Sequence, residues 1–189
     1  MTDTDLGSFC TREGTYDDAI VKESAEYLAL RPSEADVFLD IGANIGAVSK
    51  RFLLAGVSRV VAVEPEPRNY ILLGRNLSSF PGRHELINAA VAATNGKRDL
   101  WLSSDSNKGT HSLIRQSHSS RISVPVLPLQ ELLDSHRPSL LKVDIEGGEY
   151  ELASTIAQLP GAVRGIALEL HFAEPRWRSD LAPKLIRSL

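Results

Sequence analysis

The order of short apolar segments constrains the fold of this chain more than any other feature of its sequence. Five runs have the length and composition of β-strands, and each is bounded by turn residues. They span residues 37–41, 59–63, 85–91, 140–145 and 163–170. Most of them are continuously apolar instead of alternating with polar residues, which is typical of strands that are covered on both faces in a parallel sheet.

Helical patterns lie between several of these runs. Apolar residues repeat at the spacing of one helix face within residues 45–53, 67–77 and 150–159, and a further helix is predicted ahead of the first run, at residues 16–30. Strands that alternate with helices predict an α/β fold with a doubly wound, mainly parallel sheet between two helical layers. With 189 residues, the chain is long enough for one such domain.

A glycine-containing turn joins the first run to the helix that follows. Residues 40–46 read Asp-Ile-Gly-Ala-Asn-Ile-Gly. Glycine is needed where the backbone approaches a ligand closely or adopts a positive φ, and the N–H groups at the start of the next helix face this turn. Asp40 is well placed to orient the ammonium group of a ligand or a bound water. The turn alone predicts no more than a nucleotide-like ligand.

Glu64 ends the second run, eighteen residues after Gly46. An acid at this position and spacing can accept hydrogen bonds from both hydroxyls of a ribose; the alternative is a surface glutamate beside a tight turn. Asn44 replaces the second glycine of the dinucleotide fingerprint, and the sequence contains no G-x-x-x-x-G-K-[ST] phosphate loop. These features disfavour an NAD-dependent oxidoreductase and favour a nucleoside cofactor that lacks phosphates.

Three segments together resemble the FkbM family of class I methyltransferases. The first is residues 37–46, the second is Val63-Glu64-Pro65, and the third, residues 141–149, reads Leu-Lys-Val-Asp-Ile-Glu-Gly-Gly-Glu and is the characteristic one. The resemblance extends over residues 35–172. It implies a Rossmann-like fold, S-adenosyl-L-methionine as the cofactor, and methyl transfer to an oxygen of a sugar, polyketide or other small metabolite.

The resemblance also implies roles for individual residues. Residues 40–46 would line the methionine end of the cofactor, Glu64 would hold its ribose, and residues 88–89 would flank its adenine. Asp144 would lie beside the reacting methyl group. The positions that the resemblance assigns to cofactor binding are Asp40, Gly42, Ala43, Asn44, Gly46, Glu64, Pro65, Asn88, Ala89 and Asp144.

Acids and bases stand at the ends of the fourth and fifth runs. Side chains two residues apart share one face of a strand, so Lys142 and Asp144 form one pair, and Glu169 and His171 form another. In neighbouring strands Asp144 and His171 would meet at the rim of the sheet, with Lys142 and Glu169 one layer deeper. Methyl transfer to oxygen often requires removal of a proton, and histidine titrates near neutral pH. We therefore hypothesise that His171 is the general base and that Asp144 orients it or the cofactor; a purely structural histidine is the alternative.

Two further acids beside the fourth run are less specific signals. Glu146 lies close to the strand end and is retained as a catalytic candidate with Asp144 and His171. Glu149 lies at the start of the following helix, where the helix dipole favours a carboxylate in any case. Asp144, Glu146 and His171 could also gather a divalent cation, but their spacing is not diagnostic of a metal site, and no metal is predicted.

The chain is predicted to be a single domain, residues 1–189. It consists of an N-terminal helical segment (1–34), a cofactor-binding core (35–172) and a C-terminal helix (173–189). Class I methyltransferases normally end with two antiparallel strands, which this chain is expected to lack. An unprotected sheet edge would favour association into a homo-oligomer. The polar stretch at residues 103–121 is long for a loop, and it is either a substrate lid or a surface loop.

Charge and composition narrow the choice of function. The formal net charge is −3, whereas a protein that binds bare nucleic acid usually carries a basic excess. An RNA or protein methyltransferase would be expected to show a basic surface or an appended binding domain, and a catalytically impaired cofactor-binding subunit is the remaining alternative. The single cysteine, Cys10, excludes a disulfide framework within the chain and a cysteine-rich zinc site. Because no stretch has membrane-span or signal-peptide character, we expect a cytoplasmic protein whose partner is a small-molecule acceptor.

Overall fold

The computed structural model describes residues 2–103, 111–114, 120–171 and 185–188 of the chain. In these ranges the strands are β1 (Thr2–Thr4), β2 (Gly7–Phe9), β3 (Val37–Ile41), β4 (Arg59–Val63), β5 (His84–Ile87), β6 (Ala90–Ala92), β7 (Gly96–Leu102), β8 (Ser120–Pro128), β9 (Leu140–Val143), β10 (Gly165–Leu168) and β11 (Leu185–Ser188). The α-helices are α1 (Asp17–Glu23), α2 (Ala47–Leu54), α3 (Pro67–Leu77), α4 (Leu129–His136) and α5 (Ala153–Ile156), and 3₁₀ turns follow α1 at Ser24–Leu30 and precede α5 at Gly148–Leu152. Among the described residues, no helix combines the length and apolar character needed to cross a membrane.

The central sheet, as far as the described residues show it, has the strand order β11-β10-β9-β3-β4-β5. Neighbouring strands from β10 to β5 run parallel, and Asp40 of β3 lies between Ala62 of β4 and Lys142 of β9. The chain passes from β3 to β4 on one side, and β9 pairs with β3 on the other, so the strand order reverses at β3. Ligands of open α/β sheets bind beyond the carboxyl ends of the strands at such a switch point. The mainly parallel α/β sheet predicted from the sequence is confirmed.

Apolar side chains cover both faces of this sheet. On one face, Phe38 of β3 stacks on Phe52 of α2 with ring centroids 3.8 Å apart, and α3 adds Leu73 and Leu77. On the other face, β3, β4 and β9 pack against α4, from which Leu133 is buried. Complete burial of one such side chain contributes about 1.5–3 kcal/mol. The two covered faces explain why the strands are continuously apolar in sequence.

A second sheet begins where the third predicted strand divides. The sequence predicts one strand at residues 85–91, but the run is split between β5 of the central sheet and β6 of a three-stranded sheet with the order β6-β8-β7. Asn88 separates the two parts, because its side-chain amide donates to the backbone carbonyl groups of Glu64 and Pro65. The β7–β8 hairpin has a small core of its own around Leu100.

The polar stretch at residues 103–121 is partly described. Residues 104–110 and 115–119 lie outside the described ranges. Between them, Ser112 forms an isolated bridge with Trp101 through backbone hydrogen bonds of 2.8 and 3.0 Å. The described part of the stretch is therefore attached to the edge of β7 before the chain continues into β8.

The N-terminal segment packs over α2 and α3. The helix predicted at residues 16–30 is present as α1 and the 3₁₀ turn that follows it, and Arg31 ends the turn with a left-handed backbone. Phe9 of β2 is fully buried in an apolar cluster that includes Ile45 and Ala47. The segment is therefore joined to the central domain through an apolar contact next to the glycine turn.

Residues 185–188 correct the prediction for the end of the chain. The sequence predicts a helix over residues 173–189 and the absence of both final antiparallel strands, but residues 185–188 form β11, antiparallel to β10. The physical reason is that β10 would otherwise present a row of unpaired backbone N–H and C=O groups at the edge of the sheet. Residues 172–184 lie outside the described ranges. Self-association through a sheet edge remains a prediction.

Candidate functional site

The turn between β3 and α2 lies at the switch point of the sheet and is held by both neighbouring strands. Gly42 adopts a φ of +78°, and a Cβ atom on it would lie 1.8 Å from the carbonyl oxygen of Asp144. Only glycine fits this close approach of two chain segments. The backbone N–H groups of Gly42 and Ala43 donate to the carbonyl oxygen of Val63, each at 3.0 Å. The turn is therefore fixed against the ends of β4 and β9.

Asn44 and Gly46 serve different purposes within this turn. Gly46 is the N-cap of α2 with a φ of +88°, and a Cβ atom on it would lie 2.7 Å from a methyl carbon of Leu73 in α3. Gly46 thus allows close packing of helices. Asn44 has a left-handed backbone with a φ of 51°, and its buried Oδ1 accepts no hydrogen bond from the described residues. Since buried polar atoms in folded proteins are normally paired, this oxygen is a candidate for contact with a ligand.

Two clefts open on either side of the turn. The glutamate cleft, which contains Glu64, encloses about 580 Å³ between the turn, the end of β4 and the β7–β8 hairpin. The histidine cleft, which contains His171, encloses about 840 Å³ between the turn, α1 and the segments after β9 and β10. Both volumes include the open mouth of the cleft. The residues that line both clefts form the seam between them, namely Gly42, Asn44, Asp144 and Glu146.

Glu64 is a buried carboxylate in the glutamate cleft. Its Oε2 accepts a hydrogen bond from the backbone N–H of Asn44 at 2.8 Å. Its Oε1 accepts from the backbone N–H of Glu66 at 3.0 Å and from the side-chain amide of Asn69 at 3.4 Å. Burial raises the pKa of Glu64 to about 7, although these three donors favour the charged form. The cleft therefore contains a carboxyl group that titrates near neutral pH.

The remaining wall of the glutamate cleft is mainly apolar. Its apolar residues beyond the turn are Val63, Pro65, Ala89, Ala90, Val91, Leu100, Leu113 and Ile145. Pro65 and Ala89 were both predicted to lie in the cofactor site, and the structure places them in this wall. The predicted neighbour Asn88 is exposed, and its amide is engaged by the carbonyl oxygens of Glu64 and Pro65 at 2.8 and 3.1 Å.

Sequence reasoning missed the contribution of the β7–β8 hairpin to this cleft. Leu100, His111 and Leu113 line it, and the N–H of Ser103 donates to Nδ1 of His111 at 2.9 Å. In addition, the hydroxyl of Ser112 donates to the carbonyl oxygen of Glu146 at 2.6 Å, which joins the second sheet to the seam. The length and polarity of residues 103–121 were the signal that could have indicated this.

Asp40 lies behind the turn and is fully buried. Its Oδ2 accepts a hydrogen bond from the hydroxyl of Ser49 at 2.7 Å, and its Oδ1 lies 3.3 Å from Nζ of Lys142. The same ammonium group donates to the carbonyl oxygen of Gly42 at 3.0 Å and lies 3.3 Å from Oδ2 of Asp144. Burial lowers the pKa of Lys142, but the charges of Asp144 and Asp40 outweigh burial and raise it. Asp40 therefore contacts the site through Lys142, and it is not among the described residues that line either cleft.

His171 lies in the histidine cleft among four carboxylates. Its Nδ1 donates to Oε1 of the buried Glu149 at 3.0 Å. Its Nε2 lies 3.6 Å from Glu146, 3.7 Å from Glu169 and 3.8 Å from Asp144. Burial lowers the pKa of His171, but the hydrogen bond to Glu149 and the charges of Glu146 and Asp144 outweigh burial and raise the pKa to about 9. The imidazole is therefore protonated at neutral pH.

The structure brings together some of the residue pairs expected at the rim of the sheet. Asp144 and His171 do meet there. The expected deeper pair is arranged differently, because Lys142 lies between the two aspartates described above, whereas Glu169 accepts a hydrogen bond from the hydroxyl of Tyr27 at 2.9 Å. The partner of Glu169 comes from the N-terminal segment, which the sequence did not connect with the site.

Glu149 holds the segment after β9 in place. Besides His171, its carboxylate accepts hydrogen bonds from the backbone N–H groups of Ile145 and Gly147, both at 2.9 Å. Glu146 has a left-handed backbone with a φ of 56° in this segment, and it lies in the seam. Sequence reasoning favoured a helix cap for Glu149. The structure shows that Glu149 fixes both the loop and the imidazole.

Asp144, Glu146 and His171 could together hold a metal ion, because each offers one ligand atom and these atoms lie within 4.8 Å of one another. Carboxylate oxygens and imidazole are suitable ligands for several divalent cations. Two positive charges oppose such an ion, since Nζ of Lys142 lies 3.3 Å from Asp144 and His171 is protonated at neutral pH. That the site works without a metal stays a prediction.

The N-terminal segment forms the outer wall of the histidine cleft. The residues that it contributes are Tyr16, Ala19, Ile20, Glu23, Ser24 and Tyr27. The sequence predicts a helix here from its apolar stripe, but the stripe gives no indication that the helix faces a cleft. The pairing of Tyr27 with Glu169 depends on residues 142 positions apart, which only the folded chain brings together.

Comparison with known proteins agrees with this architecture. Residues 40–180 match the model of the methyltransferase FkbM domain. A curated relative, the hexuronic acid methyltransferase AglP of Haloferax volcanii, is 26% identical over 141 residues, which cover 73% of this chain and 57% of the relative. The chain thus spans little more than half the length of that relative.

Two solved structures show the same fold. The methyltransferase FkbM from Methylobacillus flagellatus KT superposes with a TM-score of 0.50 at 19% identity, over 74% of this chain and 34% of that chain. The precorrin-8w decarboxylase from Methanobacterium thermoautotrophicum superposes with a TM-score of 0.55 at 15% identity, over 91% and 73%. Because the family model matches more than half of the chain, the chain belongs to the FkbM methyltransferase family.

Proposed function

We propose that this member of the FkbM methyltransferase family transfers a methyl group from S-adenosyl-L-methionine to a hydroxyl oxygen of a small molecule, with a sugar as the acceptor class. The observation that carries the proposal is the seam shared by the two clefts at the switch point of the sheet. Donor and acceptor, one in each cleft, would meet at Asn44, Asp144 and Glu146. A sugar acceptor is supported by the matched relative AglP, which is named as a hexuronic acid methyltransferase.

The glutamate cleft fits the nucleoside part of the cofactor. Glu64 would accept a hydrogen bond from the ribose; since three protein N–H groups already use three of the roughly four acceptor positions of a carboxylate, one hydroxyl is the contact that this geometry supports best. The apolar wall with Ala89, Val91 and Leu100 would enclose the adenine. The unpartnered Oδ1 of Asn44 would accept from the ammonium group of the methionine part. When bound, the cofactor supplies an electrophilic methyl group on its sulfonium.

His171 is the residue that we propose to take the proton of the acceptor hydroxyl. Glu149 accepts the N–H at Nδ1, so that Nε2 is the nitrogen from which the proton is lost on titration. Nε2 lies beside Asp144 and Glu146 of the seam, where the acceptor oxygen would be located. Only the neutral imidazole can act as a base, and with a pKa of about 9 the neutral fraction increases as the pH rises from 7 to 9.

The charge environment also explains why the seam suits methyl transfer. With the cofactor bound as proposed, Asp144 and Glu146 would place carboxylates next to its positively charged sulfonium. Holding the reacting groups in line and excluding water supplies much of the rate enhancement of a displacement reaction. The rigid contacts of the turn with β4 and β9 support such fixed positions.

The proposal is tested in two stages with the full chain. S-adenosylhomocysteine binding is first measured by calorimetry for the wild type, for Glu64→Gln, and for Glu85→Gln as a control at an exposed acid of β5. We expect binding by the wild type and the control, and affinity about tenfold weaker for Glu64→Gln, because a hydrogen bond to a charged acceptor is lost. A folded wild-type protein that fails to bind would refute the cofactor assignment.

The second stage uses methyl-labelled S-adenosylmethionine with hexoses, hexuronic acids, polyketide alcohols and RNA. We expect label in at least one sugar and none in RNA. Label in a polyketide alcohol alone would refute a sugar as the acceptor class but would support methyl transfer to a hydroxyl oxygen. Binding without turnover of any acceptor would instead favour a catalytically impaired cofactor-binding subunit.

A further inference from the structure

We infer that Arg12 positions Glu64, the carboxylate proposed to bind the ribose, and that the N-terminal segment is therefore part of the cofactor site. This inference rests on the proposed function of the glutamate cleft. Arg12 lies 28 positions before the first residue of the family match and lines neither cleft among the described residues. Its influence would pass through the side chain of Asn69, which lies in the first turn of α3.

Arg12 is itself held in a fixed orientation. Its Nε and Nη2 donate to the two carboxylate oxygens of the buried Asp17 at 2.9 and 2.8 Å, and its backbone N–H donates to the same carboxylate at 2.9 Å. The Asp17 side chain is 1% exposed and that of Arg12 is 21% exposed. A bidentate arginine–carboxylate pair of this kind fixes the plane of the guanidinium. One further N–H group, at Nη1, consequently points in a defined direction.

That direction is towards Asn69. Nη1 of Arg12 donates to Oδ1 of Asn69 at 2.8 Å. A guanidinium can only donate, so the amide oxygen of Asn69 must face Arg12 and the amide nitrogen must face the other way. There Nδ2 of Asn69 donates to Oε1 of Glu64 at 3.4 Å. Arg12 thus selects the orientation of the amide in which Asn69 is a donor towards Glu64.

The rest of the N-terminal segment fixes this contact independently of any ligand. Asn76 lies two helical turns after Asn69 on α3, and its buried side chain accepts from the backbone N–H of Cys10 at 2.7 Å and donates to its carbonyl oxygen at 3.1 Å. Nζ of Lys50 donates to the carbonyl oxygen of Ser8 at 2.6 Å. Two asparagines on one face of α3 therefore secure the segment on both sides of Thr11.

The consequence for Glu64 concerns both its position and its charge. Burial favours the neutral form of this carboxyl group, and the donor on Asn69 is one of three that oppose burial. If Asn69 were free to rotate, its oxygen could face Glu64 and repel the carboxylate. Arg12 prevents this rotation. A ribose hydroxyl donates a stronger hydrogen bond to the carboxylate than to the neutral acid, so cofactor affinity should rise with pH as Glu64 ionises.

The test compares the two ends of the Arg12–Asp17 pair. Arg12→Met keeps the length of the side chain and removes all donors, whereas Asp17→Asn breaks the ion pair and leaves Arg12 able to donate to Asn69. S-adenosylhomocysteine affinity is measured by calorimetry at several values of pH between 6 and 9, with thermal unfolding to verify folding. Arg59→Met, at the exposed pair with Glu85, is the matched arginine control.

We expect Arg12→Met to bind about tenfold more weakly at neutral pH, as for loss of a hydrogen bond within a charged network. The pH at which affinity rises should move upwards. Asp17→Asn should lose less affinity than Arg12→Met, because Arg12 keeps its donor to Asn69. Arg59→Met should stay within about twofold of the wild type, because its ion pair is exposed. The other titratable groups on the described walls of the glutamate cleft are Asp144, Glu146 and His111, and Glu66 lies next to Glu64 outside the cleft lining. They are present in all variants, so they cannot produce a difference between variants in the pH at which affinity rises.

Three outcomes would overturn the inference. The first is wild-type affinity in Arg12→Met. The second is equal loss in Arg12→Met and Asp17→Asn at every pH, which would show that the pair only holds the N-terminal segment in place. The third applies if Arg12→Met does not fold: Arg12→Lys, which keeps the charge beside Asp17 and one donor for Asn69, would then bind about tenfold more weakly than the wild type although that donor is retained. Absence of binding by the wild type would refute the proposed function instead.

Discussion

The polar groups at the two ends of the central parallel sheet have different hydrogen-bonding environments. At the amino end, Asp36 is 2% exposed and accepts hydrogen bonds from Ser33, Ser139 and the guanidinium of Arg164. These contacts come from three parts of the chain. Both of its carboxylate oxygens are engaged, and this network joins residues that are up to 128 positions apart.

At the carboxyl end, polar groups lie close to one another at distances longer than hydrogen bonds. Nε2 of His171 lies 3.6–3.8 Å from three carboxylates, beyond ordinary hydrogen-bond distance. The Oδ1 of Asn44 has no hydrogen-bond partner among the described residues. Satisfied polar networks rigidify a fold, whereas incompletely satisfied ones cost stability unless a ligand completes them. The amino end therefore stabilises the sheet, whereas the carboxyl end offers polar groups that a ligand could complete.

Substitution of Gly42 should have the largest effect, because it would break the carboxyl end of the sheet. In Gly42→Ala the new methyl group would lie 1.8 Å from a backbone oxygen, so the turn and the segment after β9 would have to separate. We expect destabilisation by about 4 kcal/mol or more, together with loss of S-adenosylhomocysteine binding. Urea unfolding and calorimetry would measure both effects.

Gly56→Ala is the matched control for that substitution. Gly56 also has a positive φ, but its Cβ would meet only a side-chain carbon of Glu34, at 3.5 Å. The expected cost is therefore about 1–2 kcal/mol, from backbone conformation alone. Equal destabilisation by the two substitutions would contradict the special role that we assign to the contact between Gly42 and Asp144.

Removal of the imidazole should separate binding from turnover. In His171→Ala we expect turnover to fall by about 10²–10⁴-fold, the usual contribution of a general base, with little change in cofactor affinity. Wild-type turnover should increase from pH 7 to 9, because His171 must lose its proton and its pKa is about 9. The measurements are initial rates across this pH range, once an acceptor is identified.

His136→Ala is a control for that substitution, because this histidine lies on α4 at the opposite end of the sheet. Its pH profile should match that of the wild type. If His171→Ala retained more than about a tenth of wild-type turnover, or if the wild-type profile were flat, the assignment of the base would be wrong.

Substitution at the amino end should lower stability without changing binding. Burial would raise the pKa of Asp36, but the hydrogen bonds from Arg164, Ser139 and Ser33 outweigh burial and lower it well below its usual range. Because Arg164 is partly exposed, we expect Asp36→Asn to cost about 2 kcal/mol at pH 7. Urea unfolding at pH 7 would measure this cost, and S-adenosylhomocysteine affinity should be unchanged.

The sign of the pH dependence follows from the lowered pKa. A carboxyl group with a depressed pKa in the folded state contributes its stability above the pKa of the unfolded chain, about 3.9, and loses it as the pH falls towards the folded value. The difference between wild type and Asp36→Asn should therefore shrink below pH 4. A difference that stayed constant down to pH 2 would show that charge is not the source of the effect.

Sequence patterns predicted the elements whose bounds depend on residues within the same segment. The bounds of β3 and β4 and the first residue of α3 follow from apolar runs and from Pro67, which suits the first turn of a helix. The split at Asn88 and the strand at residues 185–188 were not predicted, since each depends on pairing with distant backbone groups. Periodicity within one segment carries no information about such partners.

The same limit applies to the candidate site. Glu64, Asp144 and His171 could be selected because acids and bases at the ends of strands converge in this fold class. Glu149 could be noted but not assigned, because its hydrogen bond to His171 depends on the path of the chain after β9. Asn69 gave no signal at all, since its position between Arg12 and Glu64 requires the N-terminal segment to lie on α3.

The ammonium group of Lys142 has a consequence for how acceptor specificity can diversify. It contacts oxygens of Asp40, Gly42 and Asp144. Because Lys142 lies on β9, this single side chain fixes the distance between the glycine turn and β9. The outer wall of the histidine cleft comes from a separate segment, α1 and the 3₁₀ turn after it. If the histidine cleft holds the acceptor, as proposed, substitutions at Tyr16, Ala19, Ile20 and Glu23 would reshape the acceptor space without removing the Lys142 contacts or the Tyr27–Glu169 hydrogen bond. These four positions are therefore the target for changing acceptor specificity.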